Sequence, residues 1–175
     1  MWFILENEIK WYAAFVETGS EDKVKERLNY RFQGKFTFYV PKRELRERRD
    51  KIWRNVIKVL FPSYILICGD IEDSDLIKFK NVPGLRRILC SDGQPLTISR
   101  EEINYINSLM TNGEIIGPSN IYEEGGQIKV IDGPLKGKEG QIFKIDKRKG
   151  RVKIKMSFLG EERIIDFSIN IIEKA

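Results

Sequence analysis

The sequence of 175 residues is long enough for one ordinary domain or two small ones, and its 41% hydrophobic residues can build a packed core. It contains no histidine, which removes the commonest general base and the histidine-containing nucleophile and zinc sites. No apolar run approaches the roughly 20 residues of a membrane span, and the apolar opening at 1–5 is too short for a signal peptide. A cytoplasmic protein without membrane association is therefore expected.

Groups able to carry out chemistry are sparse. Adjacent carboxylate pairs, such as those at 101–102 and 123–124, have no histidine or cysteine nearby in the sequence that could complete a catalytic or metal site. Cys68 and Cys90 lie far apart in apolar surroundings and are interpreted as buried free thiols. The glycines of 133–140 lack the Gly-Lys-Ser/Thr ending of a phosphate-binding loop. We therefore expect no enzyme, no catalytic residue, no metal and no cofactor.

The formal net charge of +5 is unevenly distributed along the chain. The stretch 42–58 holds eight basic residues against three acidic ones, and 129–155 holds ten against three. Two basic surfaces on one chain favour a polyanionic partner, most often a nucleic acid. A solvated basic face that only keeps the protein soluble is the alternative for either stretch taken alone.

The N-terminal half alternates strands with helices, which indicates an α+β fold. Capping boxes are predicted for the first helix at Thr18 and Glu21 and for the third at Ser99 and Glu102, and the second helix is capped by Asp73 or Ser74. The stretch 42–54 is compatible with either a short helix or a long charged hairpin. Strands are predicted at 10–16, 36–40, 56–61, 64–68 and 85–89, and helices at 18–34, 73–80 and 99–112.

The segment 113–125 contains Gly117, Pro118, Ser119 and Asn120 and is interpreted as a linker, because the pattern of hydrophobic residues changes after it. Period-two alternation follows, with turn residues between the segments, which predicts a small all-β barrel of about five short strands. The alternating segments are 127–131, 141–145 and 151–156, and 163–167 is predicted as a further strand.

Several motifs, in order, make the chain resemble the NusG family of transcription factors. Residues 126–140, GQIKVIDGPLKGKEG, resemble the KOW motif. The N-terminal half carries Trp11-Tyr12, Val40-Pro41, a Phe-Pro-Ser-Tyr segment at 61–64 resembling the family's F-P-G-Y, and a Val-Pro-Gly turn at 82–84. The resemblance covers almost the whole chain.

The resemblance implies an N-terminal NGN domain at 1–112, an antiparallel sheet with flanking helices that docks on RNA polymerase, a linker at 113–125 and a KOW barrel at 126–175. By position, Phe61 and Tyr64 resemble the polymerase-facing patch, supported by Trp11 and Tyr12, although Trp11 could equally be core. Phe158 and Leu159 resemble the barrel tip that family members use against Rho or a ribosomal protein. A monomer is expected.

Departures from the housekeeping pattern favour a specialised paralog of the LoaP kind, which acts as an antiterminator and recognises a hairpin in the nascent leader RNA. Ser63 stands where the housekeeping factor has Gly, Leu135 stands where Phe is usual, and 161–163 are changed in charge. These changes leave Rho or ribosomal-protein binding open. The alternation in 141–156 predicts a stable barrel.

The predicted function is therefore elongation and antitermination through RNA polymerase and a nascent RNA hairpin, with non-template DNA as a further candidate partner. The alternatives are a ribosome-associated KOW-type RNA-binding protein and the housekeeping factor acting with Rho and a ribosomal protein. The predicted nucleic-acid-binding residues are the basic side chains Lys42, Arg43, Arg46, Arg48, Arg49, Lys51, Arg54, Lys136, Lys138, Lys144, Lys147, Arg148, Lys149, Arg151, Lys153 and Lys155.

Overall fold

The computed structural model describes residues 8–173, so the apolar opening at 1–5 lies outside the described residues. The elements in chain order are β1 (Trp11–Val16), α1 (Glu21–Phe32), β2 (Thr37–Tyr39), β3 (Lys42–Arg49), β4 (Ile52–Val59), β5 (Tyr64–Cys68), α2 (Asp73–Lys80), β6 (Leu85–Ile88), β7 (Cys90–Ser91), β8 (Gln94–Pro95), α3 (Arg100–Leu109), β9 (Ile115–Ile116), β10 (Ser119–Glu124), β11 (Gln127–Asp132), a 3-10 turn (Glu139–Gln141), β12 (Ile142–Asp146), β13 (Arg151–Phe158) and β14 (Glu161–Ile171).

The chain divides into two compact units that are discontinuous in sequence. The first unit contains 8–40 and 62–99, and the second contains 41–61 and 100–173. The β3–β4 hairpin and α3 therefore belong to the same unit as the C-terminal strands. Most of the predicted linker at 113–125 is strand, since it holds β9 and β10. The domain boundaries at 112 and 126 stay predictions.

The first unit is an antiparallel four-stranded sheet in the order β2-β5-β1-β6 with two helices. Its core contains a phenylalanine cluster, in which Phe32 of α1 lies 4.4 Å from Phe79 of α2 between ring centroids and contacts Phe36 and Phe38. In α1, Val24 and Leu28 are buried with Phe32, as the helical spacing predicts. The predicted α+β fold is confirmed.

The predicted capping of the first two helices is wrong, although both helices exist. The side chain of Ser20, the N-cap of α1, makes no capping hydrogen bond, and the Glu21 carboxylate instead accepts one from the Ser63 backbone N–H at 2.8 Å. In α2 the N-cap is Glu72, which forms a capping box with Asp75, rather than either of the predicted candidates Asp73 and Ser74. A long-range acceptor and a glutamate cap are both poorly encoded by local sequence preferences.

The second unit is built on a five-stranded sheet in the order β11-β10-β14-β13-β12 and a three-stranded sheet in the order β4-β3-β9. Alternate residues of β13, from Val152 to Phe158, are buried, as the period-two pattern predicts. The stretch 42–54, for which a helix and a hairpin were both compatible, is the β3–β4 hairpin. The predicted all-β C-terminal fold is confirmed. It includes β10, which lies in the segment predicted to be a linker.

Gly133, in the KOW-like stretch, is required by both backbone conformation and space. Its φ is +93°, and a Cβ placed there would lie 2.7 Å from Ser119 Cα. The hydroxyl of Ser119 accepts a hydrogen bond from the N–H of the buried Leu135 at 3.0 Å. The tight approach of this loop to β10 thus depends on a missing side chain.

No helix within residues 8–173 is both long and apolar enough to cross a membrane.

Replacing Gly133 with Ala should lower the free energy of unfolding by about 3 kcal/mol, because a strained φ adds to a clash with backbone. Gly137→Ala is the matched control, since its φ of +78° is similar but nothing lies within 4 Å of the added Cβ. The control should cost about 1 kcal/mol. Urea unfolding of both variants checks this, and equal losses would show that the approach to Ser119 does not matter.

Candidate functional site

One face of the first unit's sheet carries partly exposed aromatic side chains. Trp11 stacks on Tyr39 with 5.2 Å between ring centroids, and Phe15 lies 5.6 Å from Tyr64. All four are of intermediate exposure. The strand register places them on the same side, because residues directly opposite each other and residues two apart share a face. We call these four residues the aromatic face.

The aromatic face includes two of the four predicted polymerase-binding residues, Trp11 and Tyr64. Tyr12 points to the opposite side of the sheet and is only 3% exposed. Phe15 and Tyr39 were missed, although alternation from Trp11 to Phe15 was a signal for the first of them. The sequence could not show that β2 brings Tyr39 against Trp11.

The backbone before Tyr64 takes a left-handed conformation at Ser63, with φ +73°. Glycine adopts this conformation at low cost and serine does not. The serine is held by its side chain and backbone together, since its hydroxyl lies 2.6 Å from that of Thr18 and its N–H bonds to Glu21. These contacts fix where β5 begins and hence where Tyr64 lies.

Phe61, the remaining predicted polymerase-binding residue, belongs to the second unit and is 1% exposed. Its ring stacks on that of Phe158 at a centroid distance of 3.8 Å and an interplanar angle of 8°. Phe158 is fully buried and Leu159 is partly exposed. Phe61, which is predicted to bind polymerase, and Phe158, which is predicted to bind a partner of the KOW domain, therefore cover each other.

The turn that follows Phe158 is tied to α3 by one carboxylate. Glu102 accepts hydrogen bonds from the Ser157 hydroxyl at 2.6 Å, the Leu159 N–H at 3.2 Å and the Gly160 N–H at 2.9 Å. Leu159 has φ +55° and Gly160 has φ +77°, which is the two-residue turn that matches strand twist. We call this arrangement the Glu102 latch.

The basic stretch 42–54 forms the β3–β4 hairpin, which pairs in register from Lys42–Val59 to Arg49–Ile52. Its two-residue turn is Asp50-Lys51, with φ +51° and +65°. Leu45 is buried, whereas Arg46 and Arg48 are exposed on the other face of β3. Around Leu45 the hairpin is thus packed on one face and carries exposed arginines on the other.

Three of the predicted nucleic-acid-binding residues are instead joined to Asp166 of β14. The Asp166 carboxylate pairs with Lys153 at 2.7 Å and Arg151 at 3.5 Å, and its backbone carbonyl accepts from Arg43 at 2.7 Å. Burial opposes ionisation of Asp166, but the hydrogen bond from Lys153 and the two guanidinium charges outweigh it and lower the pKa. Arg43, which belongs to β3, and Arg151, which also donates to the Arg46 carbonyl, link the hairpin to the sheet.

Other predicted cations also have local partners. Lys147 pairs with Glu123 at 2.5 Å, and Lys155 lies over the ring of Phe143. Lys138 is partly buried and lies over the ring of Tyr105. A further set of predicted cations is exposed, and within residues 8–173 no carboxylate oxygen lies within 4.0 Å of their side-chain nitrogens. This set comprises Arg46, Arg48, Lys51, Arg54, Lys136, Lys144 and Arg148.

Cations from both basic stretches meet in a groove of about 370 Å³ in the second unit. The hairpin contributes Trp53 and three arginines, and the turn between β12 and β13 contributes Arg148 and Lys149. With Arg151 at the start of β13, six cationic side chains line it together with one carboxylate, Glu47. We call it the arginine groove. Its hairpin arginines are Arg46, Arg48 and Arg49.

No group of three or more histidine, cysteine, aspartate or glutamate side chains within residues 8–173 is placed to hold a metal ion. Cys68 and Cys90 are free thiols; Cys68 is partly buried, whereas Cys90 is exposed and so is not the buried thiol expected from its neighbours. Burial raises the pKa of the Cys68 thiol, which keeps it protonated and unreactive.

Comparison with known proteins agrees with this architecture. A family model described as transcription termination factor nusG matches residues 9–107. The transcription termination/antitermination protein NusG of Rickettsia prowazekii is 30% identical over 97% of this chain and 93% of its own length. The protein of the same name from Thermus thermophilus is 27% identical, over 95% of this chain and 99% of that protein. A solved structure, "Domain interaction in Thermotoga maritima NusG", covers 92% of this chain and 94% of that one, with a TM-score of 0.59 and 22% identity.

Fold and relatives together define a class, that of transcription termination and antitermination factors. The chain belongs to the NusG family, since the family model covers more than half of it and a relative at 30% identity covers nearly all of it.

Replacing Glu102 with Ala should release the β13–β14 turn. Three hydrogen bonds to a carboxylate are lost, so the free energy of unfolding should fall by about 2 kcal/mol. Amide exchange at Leu159 and Gly160 should become faster, because their N–H groups lose their acceptor. Glu101→Ala, an exposed neighbour on the same helix, is the control and should leave both amides protected. Unchanged exchange in the Glu102 variant would show that the latch does not hold the turn.

Proposed function

We propose that this chain is a transcription elongation and antitermination factor that binds RNA polymerase through the aromatic face and a hairpin of the nascent leader RNA through the arginine groove. Membership of the NusG family supports the transcriptional role. The observation that carries the RNA part is the convergence of both basic stretches on one groove, which the sequence presents as two separate clusters.

The aromatic face has the chemistry of a protein-docking surface. Partly exposed tryptophan and tyrosine combine large apolar area with few rotatable bonds, which is why they dominate binding energy at interfaces. Trp11 and Tyr64 lie on a sheet whose other face is packed by helices, so they are presented on a rigid support. Rigid presentation lowers the entropy cost of docking.

Docking through Phe61 requires a rearrangement, because Phe61 is stacked on Phe158. Binding of a partner protein through Phe158 requires the same rearrangement, because Phe61 covers the Phe158 ring. Stacking of Phe61 on Phe158 therefore competes with the binding of either partner. The Glu102 latch favours the stacked state, because it holds the turn that follows Phe158. If Phe61 takes part in docking, the Glu102→Ala variant should bind polymerase more tightly than the wild-type chain.

The specialised, LoaP-like role is supported by the charge of the β3–β4 hairpin and by Ser63 and Leu135. Leu135 is buried, so its side chain serves the core of the second unit. The housekeeping role, with Rho or a ribosomal protein at Phe158 and Leu159, is the second candidate, favoured by relatives that carry the name NusG over nearly their whole length. A terminator-readthrough assay separates the two, since only the first depends on a leader hairpin.

Replacing Tyr64 with Ala should weaken binding to RNA polymerase at least tenfold, the loss of roughly 1.4 kcal/mol expected for an interface tyrosine. Tyr30→Ala is the control, because Tyr30 is 84% exposed on α1 and lies outside the aromatic face. Binding to core polymerase is measured together with RNA affinity, which should not change in either variant. Equal polymerase affinity of the Tyr64 and Tyr30 variants would defeat docking through the aromatic face.

The double replacement of Arg48 and Arg148 by Ala should weaken binding to a leader RNA hairpin. It should also reduce the slope of log affinity against log salt by about two, since each lost phosphate contact removes about one unit. Lys23→Ala with Lys80→Ala removes the same charge from exposed positions on α1 and α2 and should leave the slope unchanged. The same shift in both doubles would indicate net charge alone, and absence of RNA binding by the wild-type chain would reject the RNA part of the proposal.

A further inference from the structure

We propose that the arginine groove binds one unpaired nucleotide of RNA, with Trp53 stacked on its base and the surrounding arginines on its phosphates. This deepens the proposed function and rests on it, because it names what the groove takes from a leader hairpin. The sequence pattern gave Trp53 no role.

Trp53 is placed among charges rather than in a core. It lies opposite Arg48 in the β3–β4 register, so the two share a face of the hairpin. The Arg46 guanidinium lies 5.3 Å from the centre of a Trp53 ring. Leu45, which packs into the core, is on the other face of β3. The tryptophan therefore serves the charged side of the hairpin.

The combination of an indole ring and guanidinium groups matches an unpaired nucleotide. Bases stack on aromatic rings and on guanidinium planes, and stacking on an indole needs a base that is free of a duplex. Guanidinium groups bind phosphate with two parallel hydrogen bonds. The groove of about 370 Å³ falls in the range of small-molecule sites, roughly 300–1,000 Å³.

The groove's only carboxylate does not repel a phosphate strongly. Glu47 pairs with Lys58 and lies 3.6 Å from Arg49 and 3.9 Å from Arg151. The hydrogen bond from Lys58 lowers the pKa of Glu47 and outweighs the opposing effect of burial. The remaining cations keep an uncompensated positive charge in the groove.

Both sides of the groove are ordered before any ligand arrives. The Lys149 N–H donates to Asp146 at 2.9 Å, and the carbonyl of Gly150 accepts from Ile169 of β14 at 3.0 Å. Arg151 donates to the backbone carbonyl of Arg46 at 2.6 Å, which ties the turn to the hairpin. Pre-ordered sites lose less entropy on binding.

The test uses the full chain and three labelled probes: an RNA hairpin with an unpaired loop, its blunt stem without a loop, and the DNA version of the hairpin. Trp53→Ala should weaken binding of the looped RNA about tenfold and leave the blunt stem unchanged, as expected for one lost stacking contact. Trp53→Phe should retain most of the affinity, because it keeps an aromatic ring. Lys136→Ala, which lies outside the groove, should affect loop and stem equally.

The outcomes separate this inference from the proposed function. If the wild-type chain binds the looped RNA but Trp53→Ala binds it equally well, the stacking role is overturned and the RNA-binding role stands. If Trp53→Ala weakens binding of the looped RNA and of the blunt stem to the same extent, Trp53 only supports the structure of the β3–β4 hairpin, and the stacking role is overturned. Tighter binding of the DNA loop than of the RNA loop overturns the assignment to RNA. No binding of any probe by the wild-type chain overturns both proposals.

Discussion

The second unit depends on the attachment of the β3–β4 hairpin to β13 and β14 through Asp166. One residue of β14 binds Lys153 and Arg151 through its carboxylate and Arg43 through its carbonyl. A partly buried carboxylate with several cationic partners is held far more firmly than an exposed ion pair. Because these contacts fix the hairpin, its groove arginines, at 46, 48 and 49, lie close to the turn that follows β12.

This attachment divides the basic residues into two kinds with different roles. Arg151 and Lys153 pair with the Asp166 carboxylate and Arg43 donates to its backbone carbonyl, whereas Arg48 and Arg148 are presented to solvent. The depressed pKa of Asp166 means that its contribution to stability is complete above the ordinary carboxyl pKa of about 3.9 and is lost as the pH falls through the lower folded value. Because the charges of the first kind are already matched by Asp166, the second kind supplies uncompensated positive charge to the arginine groove.

The elements could be predicted from the sequence where local pattern decides them. The alternation of Arg151 to Phe158 predicted β13, and the spacing of Val24 and Leu28 predicted the buried face of α1. What failed depended on distant partners: the Glu21 carboxylate binds Ser63 rather than its own helix, and β10 is a strand because β14 pairs with it. The two basic stretches of the sequence indicated a polyanionic partner. Only the tertiary structure shows that cations from both stretches line one groove together with Trp53.

Some of the non-glycine residues with positive φ lie at the candidate surfaces. Lys51 at the tip of the charged hairpin, Ser63 before Tyr64 and Leu159 in the latched turn each take a conformation that glycine adopts more cheaply. At Ser63 the structure supplies the compensation, a hydroxyl contact with Thr18. At Leu159 the Glu102 carboxylate does so. At Lys51 the side chain adds an exposed positive charge to the tip of the charged hairpin.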